Sequence, residues 1–172
     1  MTQYGSRPLH AYSQKGYDVA QICKGGHVIT RMLTTYPDSG SPFCNACGEP
    51  TTSVCAPCQS PIEGIPLNDA WMVGPYVRPA YCPRCGKPYP WTESSLVAAR
   101  EAADESELSA EDKERLKATF NDLAVDSPRT ALAAHHFMTF VKKAGPVVGE
   151  VIKKTAIEFA TETAKKMAGL SP

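Results

Sequence analysis

Apolar residues recur in two different ways along this chain. As far as Trp91 they come in short, irregular groups among prolines and glycines, with brief strand-like runs such as Tyr17 to Ile22. Beyond Pro90-Trp91 the composition shifts to Ala, Glu and Lys, and the apolar positions take up a helical period. Thr92 followed by Glu93 predicts the N-cap of a first helix running to about Asp104. Ser109 with Asp112 resembles a capping box and opens a second helix to about Leu123. Ser127-Pro128 starts a third, which stops near Ala144 before Gly145-Pro146. A fourth is expected from Val147 to Ala168, with Gly169 as its C-terminal stop. The expected organisation is an irregular β region over 1–91 and a region of about four helices over 92–172.

Composition narrows the function classes only a little. The 172 residues suffice for one compact domain or two small ones, and 42% hydrophobic with 21% charged residues is ordinary for a globular chain. Lys and Arg balance Asp and Glu, so no global excess of positive charge recruits nucleic acid or anionic lipid. The opening MTQYGSRPLHAYSQKG lacks the apolar core of a signal peptide, and no run reaches the length of a membrane span. A cytoplasmic protein with no membrane role is therefore expected. Within the helical region, residues 92–122 carry nine acids against four bases, and residues 123–172 carry seven bases against four acids. Helices of opposite charge attracting one another explain this better than a charged partner does.

Cysteine placement changes the picture. All seven cysteines lie between Cys23 and Cys85, a clustering that in a reducing compartment points to metal rather than disulfides. They form four short pairs once a histidine is added: Cys23 with His27, Cys44 with Cys47, Cys55 with Cys58, and Cys82 with Cys85. Two donors separated by two or three residues bind one ion from a single tight turn, and a second such turn completes the tetrahedron zinc prefers. Eight donors make two zinc sites with none left over. A thioredoxin-like reading of any one CxxC needs a surrounding βαβ pattern, which is not visible.

An internal repeat bears on the pairing. Phe43-Cys44-Asn45-Ala46-Cys47-Gly48-Glu49-Pro50 matches Tyr81-Cys82-Pro83-Arg84-Cys85-Gly86-Lys87-Pro88, while the pairs at Cys23 and Cys55 resemble each other as openings. This order favours Cys23, His27, Cys44 and Cys47 on one ion and Cys55, Cys58, Cys82 and Cys85 on the other. A cross-braced arrangement of the RING type stays open. Sites filled wholly by protein are structural, because catalytic zinc keeps one position free. Such a zinc supplies about 10–16 kcal/mol toward folding, which a Pro- and Gly-rich segment needs in place of a core. Two zinc ions and seven thiolates also shift residues 1–91 from a formal charge of +2 to about −1, short of the basic face of a nucleic-acid module.

The turn pattern resembles a double zinc ribbon. The chain is also similar to an uncharacterised family of small bacterial proteins, through Tyr17 to Ile29, Phe43 to Gly48, Cys55 to Cys58, Tyr81 to Glu93, Asp126 to Thr130 and Lys143 to Pro146. The resemblance implies two tandem ribbons ahead of a helical half, zinc binding and a bacterial cytoplasmic setting, but no activity.

Other chemistry-bearing residues fit blander roles. His136 lies one turn from Leu132 and Phe140 and is expected in the core beside its neighbour His135. Tyr81 is expected to pack on its own ribbon, whereas Trp71 and Met72 could equally meet a ligand or a partner. Val148, Ile152, Phe159 and Met167 form a stripe on the last helix, expected to bind a protein partner or a second copy. The expected function is a non-enzymatic interaction or scaffold module. The alternative is a nucleic-acid accessory protein using the ribbon loops around Trp71, Arg78 and Arg84.

Overall fold

A computed structural model describes residues 16–67 and 75–170. Its contacts divide the chain into two compact units, Met1–Trp91 and Thr92–Pro172. Among the described residues, the first contains five short strands: β1 (Tyr17–Val19), β2 (Gln21–Cys23), β3 (Val28–Thr30), β4 (Thr51–Thr52) and β5 (Glu63–Pro66). The strand-like run from Tyr17 to Ile22 is divided between two antiparallel sheets. β1 pairs with β5, while β2 lies at the centre of a three-stranded sheet in the order β3-β2-β4. Ala20 is the crossover, and its N–H leaves both ladders to donate to the Ile62 carbonyl at 2.9 Å.

Asp18 makes this crossover rigid. It is buried, and its carboxylate accepts from the backbone N–H groups of Val19, Thr34 and Thr35 and from the Thr35 hydroxyl. A buried carboxylate is tolerated only when its lone pairs are filled in this way. The same crossing explains Gly64. A Cβ there would lie 2.2 Å from the Arg31 carbonyl oxygen, so the chains approach too closely for any side chain.

The core of this unit is small. Ala20, Ile22, Ile62, Tyr89 and Trp91 cluster with Cys55 and Cys82, and Tyr76 packs on their edge. Tyr89 and Trp91 stack with ring centroids 4.8 Å apart, and the Trp91 indole donates to the Pro79 carbonyl. Two of the seven core members are thus cysteines from the predicted donor set.

Five helices follow: α1 (Pro90–Asp104), α2 (Ala110–Leu123), α3 (Thr130–Lys143), α4 (Pro146–Phe159) and α5 (Glu162–Ala168). Ser109 caps α2 by accepting from the Asp112 N–H. α1 starts earlier than its predicted cap. Pro90 supplies the first turn, and Thr92 sits inside the helix with its hydroxyl buried and unpaired. α3 starts later, because Ser127 to Arg129 form a turn closed by the Thr130 N–H on the Ser127 carbonyl.

The single long fourth helix expected from the sequence is two helices. Ala160 adopts an extended conformation, and Thr161 becomes an N-cap whose hydroxyl accepts from the Ala164 N–H. The Thr161 N–H meanwhile donates to the Leu123 carbonyl at the end of α2, and its hydroxyl donates to Asp126. Tertiary partners thus replace the helical bonds lost at the break.

Helix packing turns two of the four residues of the expected docking stripe inward. α3 packs against α2, α4 and α5, and Ile152, Ala156 and Phe159 are fully enclosed. The Phe120 ring meets Phe137 and Phe159 edge-on, at centroid distances of 6.4 and 5.8 Å. Of the four stripe residues only Met167 is largely exposed; Val148 is half-buried. Gly149 lets α4 cross close to α3, since a Cβ there would sit 2.6 Å from the Val141 carbonyl oxygen. Charge follows the same packing. Lys143 of α3 pairs with Asp112 of α2 at 3.2 Å, and Arg129 pairs with Asp122 at the same distance. These exposed pairs contribute about 0–1 kcal/mol each, so apolar burial carries the unit.

Ile152→Ala and Phe159→Ala are therefore expected to destabilise the helical unit by about 2–5 kcal/mol each. Leu132→Ala, at a position 55% exposed, should change it by about 0.5 kcal/mol or less. Urea unfolding followed by far-ultraviolet circular dichroism distinguishes these outcomes.

Candidate metal centres

Three turns of the first unit share one backbone plan. In each, the first cysteine's N–H bonds to a carbonyl five residues on, and its own carbonyl accepts from the residue after the second cysteine. The pairs are Cys44 with Glu49 and Gly48, Cys55 with Ser60 and Gln59, and Cys82 with Lys87 and Gly86, all at 2.8–2.9 Å. An isolated bridge to a proline closes each turn: Phe43 with Pro50, Val54 with Pro61, and Tyr81 with Pro88. The residue after the second cysteine has positive φ in all three, +73° at Gly48, 57° at Gln59 and +69° at Gly86.

The repeat is therefore threefold, and the Cys55 turn belongs with the other two CxxC turns rather than with the turn at Cys23. Glutamine at the left-handed position conceals this in the sequence, although Pro61 at the equivalent of Pro50 and Pro88 was a usable signal. The odd turn is the first. There Cys23 donates to the His27 carbonyl, and Gly26, at φ +92°, donates back to the Cys23 carbonyl.

Strand pairing then assembles the donors. β2 pairs with β4 in the register Cys23 to Thr51, which places Cys23 beside the 44–47 turn. Cys55 and Cys82 meet in the apolar core. The eight residues fall into two groups, Cys23 with His27, Cys44 and Cys47, and Cys55 with Cys58, Cys82 and Cys85, each with all donor atoms within 4.8 Å of one another. This is the sequential arrangement, not the cross-braced one.

The spacings fit a tetrahedral ion. With sulfur about 2.3 Å from a central metal, adjacent sulfurs stand about 3.8 Å apart, and a histidine nitrogen stands about 3.5 Å from each sulfur. Cys23 and Cys47 are 3.7 Å apart, as are Cys55 and Cys85, and Cys58 and Cys82. His27 Nδ1 lies 3.5, 3.3 and 3.7 Å from the sulfurs of Cys23, Cys47 and Cys44. A disulfide would bring two sulfurs to about 2.05 Å. Both groups can hold a metal ion, with Nδ1 as the His27 ligand atom.

Local electrostatics point the same way. Burial pushes the Cys44 thiol up, but the N–H groups of Ala46 and Cys47 outweigh it and hold the thiol down at about 7. At the equivalent Cys82, burial is outweighed by the Ser60 hydroxyl and then the N–H groups of Arg84 and Cys85, giving about 6. Cys55 goes the other way, pushed by burial up to about 12. Two thiolates about 4 Å apart repel by about 4 kcal/mol at an effective dielectric constant near 20. A dication would let all four sulfurs of the second group ionise together. The buried Tyr89 hydroxyl has no hydrogen-bond partner of good geometry and lies beside Cys82. An orphaned donor next to a sulfur suits a cluster of ionised thiolates.

Ser60 is the site residue that sequence reading missed. Its hydroxyl lies 3.0 Å from Cys58 Sγ and 3.3 Å from Cys82 Sγ. The other candidates lie elsewhere. The Arg78 guanidinium donates to the Gly26 carbonyl at 2.7 Å and is half-buried, whereas Arg84 is exposed. Tyr81 is half-buried, and Trp71 and Met72 lie outside the described residues. His135 and His136 are both exposed. The buried line of α3 runs through Thr130, Ala133, Phe137, Phe140 and Val141, which turns His136 outward into an open groove of about 460 Å³ beside Leu132 and Lys143.

The glycines of these turns should respond differently to alanine. Gly48→Ala and Gly86→Ala meet open space and should cost about 1–2 kcal/mol through backbone strain alone. In Gly26→Ala the new Cβ would lie 2.7 Å from the Arg78 guanidinium and 3.0 Å from Trp91 Cβ. That variant should lose metal from the first group while the other two keep it, read as metal bound per chain.

Among the described residues, no helix is long and apolar enough to cross a membrane. No curated protein and no solved structure matches the chain. A bacterial family does, over residues 16–168, through the turns, the donors and the helices together. The chain belongs to that family, described as uncharacterized protein conserved in bacteria (DUF2321).

Proposed function

We propose that this protein is a non-catalytic interaction module whose first unit is built on two zinc ions held in tandem ribbon-type sites. The observation carrying this reading is that eight protein donors gather into two groups of four, with spacings that fit a bound ion. Neither leaves a position for water or substrate, which is the mark of structural rather than catalytic zinc. Zinc is favoured over iron because one set includes an imidazole and both sets are tetrahedral and closed. The cytoplasm suits such a protein, since reducing conditions keep seven thiols available to metal.

The partner in this reading is a protein or a second copy meeting the helical unit. With Ile152 and Phe159 inside, its apolar contacts are Val147 and Val151, 77% and 48% exposed one turn apart on α4. The nucleic-acid alternative is less favoured because Arg78 is half-buried, with its guanidinium donating to the Gly26 carbonyl. Salt-sensitive capture of DNA or RNA by the full chain would reverse that preference.

Protein purified without chelators is expected to contain two zinc ions per chain by plasma emission. Cys47→Ser should remove one and leave the Cys55 set loaded; Cys85→Ser should do the converse. One ion per chain, or iron in place of zinc, overturns the reading.

A further inference from the structure

Corresponding positions in the three CxxC turns carry different side chains. Glu49 and Lys87 occupy two of them, and Ser60 occupies the third. Only Ser60 can turn a short hydroxyl back onto the cluster, and it does so across the boundary between turns. Its oxygen lies 3.0 Å from Cys58 and 3.3 Å from Cys82, whose sulfurs are themselves 3.7 Å apart and come from opposite turns. The hydroxyl thus caps one edge of the donor tetrahedron, and its residue is half-buried. In the first centre the sulfurs of Cys23 and Cys44 take backbone N–H donors from His27 and Ala46, and both His27 and Cys47 are exposed.

We propose that Ser60 is a positioning residue of the second centre, bridging Cys58 and Cys82, and that it makes this centre the slower of the two to release its metal. The first centre, with solvent-facing His27, is then the exchangeable one. This rests on the metal reading above. Four thiolates around a dication leave a charge of −2, and a hydroxyl shared by two of them offsets part of it and holds both sulfurs in place. At the first centre a neutral imidazole replaces one thiolate. Groups of this kind that hold metal ligands commonly change metal affinity by about 10–100-fold.

The difference in ligand sets alone could separate the two release rates, so Ser60 has to be tested directly. Full-length protein loaded with zinc is mixed with a colorimetric chelator, and release is followed in time. The same protein loaded with cobalt assigns each phase, because thiolate-to-metal charge-transfer bands differ between sites with four and with three sulfurs. Release in two phases is expected, the three-sulfur site first. Ser60→Ala should speed the second phase by about tenfold and shift its charge-transfer bands, leaving the first phase unchanged. Ser60→Thr, which keeps the hydroxyl, should restore the slow phase. The inference is overturned if the four-sulfur site empties first, if Ser60→Ala leaves the second phase alone or speeds both equally, or if Ser60→Thr behaves like Ser60→Ala. Failure to find two ions in the starting protein would instead sink the metal reading itself.

Discussion

Four donor atoms held within 4.8 Å of one another, twice over, are the constraint on which the first unit depends. Thiolates at such distances repel, and burial of Cys23, Cys44, Cys55 and Cys82 deprives them of the water that would screen them. The backbone meets this with N–H groups aimed at the sulfurs, and the Ser60 hydroxyl adds to it. Such donors lower the energy of some thiolates but cannot neutralise four. A central cation would do so, and would turn mutual repulsion into a common attachment point for two turns far apart in sequence.

The metal site and the apolar core are consequently not separate features. Cys55 and Cys82 sit in the same cluster as Ile22, Ile62, Tyr89 and Trp91. Strands of two to four residues cannot hold a sheet by themselves, and two such sheets share a crossover at Ala20. What fixes their relation is polar and local: the Asp18 carboxylate gathering the 34–35 backbone, the glycine at 64 that lets two chains touch, and the Arg78 guanidinium bonded to Gly26. Around so thin a core, each of these is needed because little apolar area is available to compensate.

The donors were legible in the sequence because ligand chemistry is written in residue type and short spacing, and both survive without knowledge of the fold. Helix starts at Ser109 and stops at Gly169 were legible for a similar reason, since capping is a local bond. Features settled by distant partners were not. The division of Tyr17 to Ile22 between two sheets depends on Glu63 to Pro66 far downstream. The break at Ala160–Thr161 depends on the Leu123 carbonyl and Asp126, and the burial of Phe159 depends on Phe120 of α2. His136 was misplaced by a small error of rotation, because the true buried line on α3 passes through Ala133 and Phe137 instead of Leu132. Gln59 hid a third copy of the turn by occupying a backbone conformation usually left to glycine.

Charge leads to the last step about function. Residues 92–172 carry eleven bases against thirteen acids, and residues 1–91 carry seven against five before any metal and thiolates are counted. Filling both donor sets with dications while ionising seven thiols takes the first unit to about −1. With both donor sets filled, neither unit would carry a net positive charge. On the proposed metal reading, four protein donors to each ion would leave no vacant ligand position for a substrate. The described surface carries scattered apolar exposure, as at Phe43, Val147 and Val151, and the protein-partner reading proposed above rests on contacts of that kind.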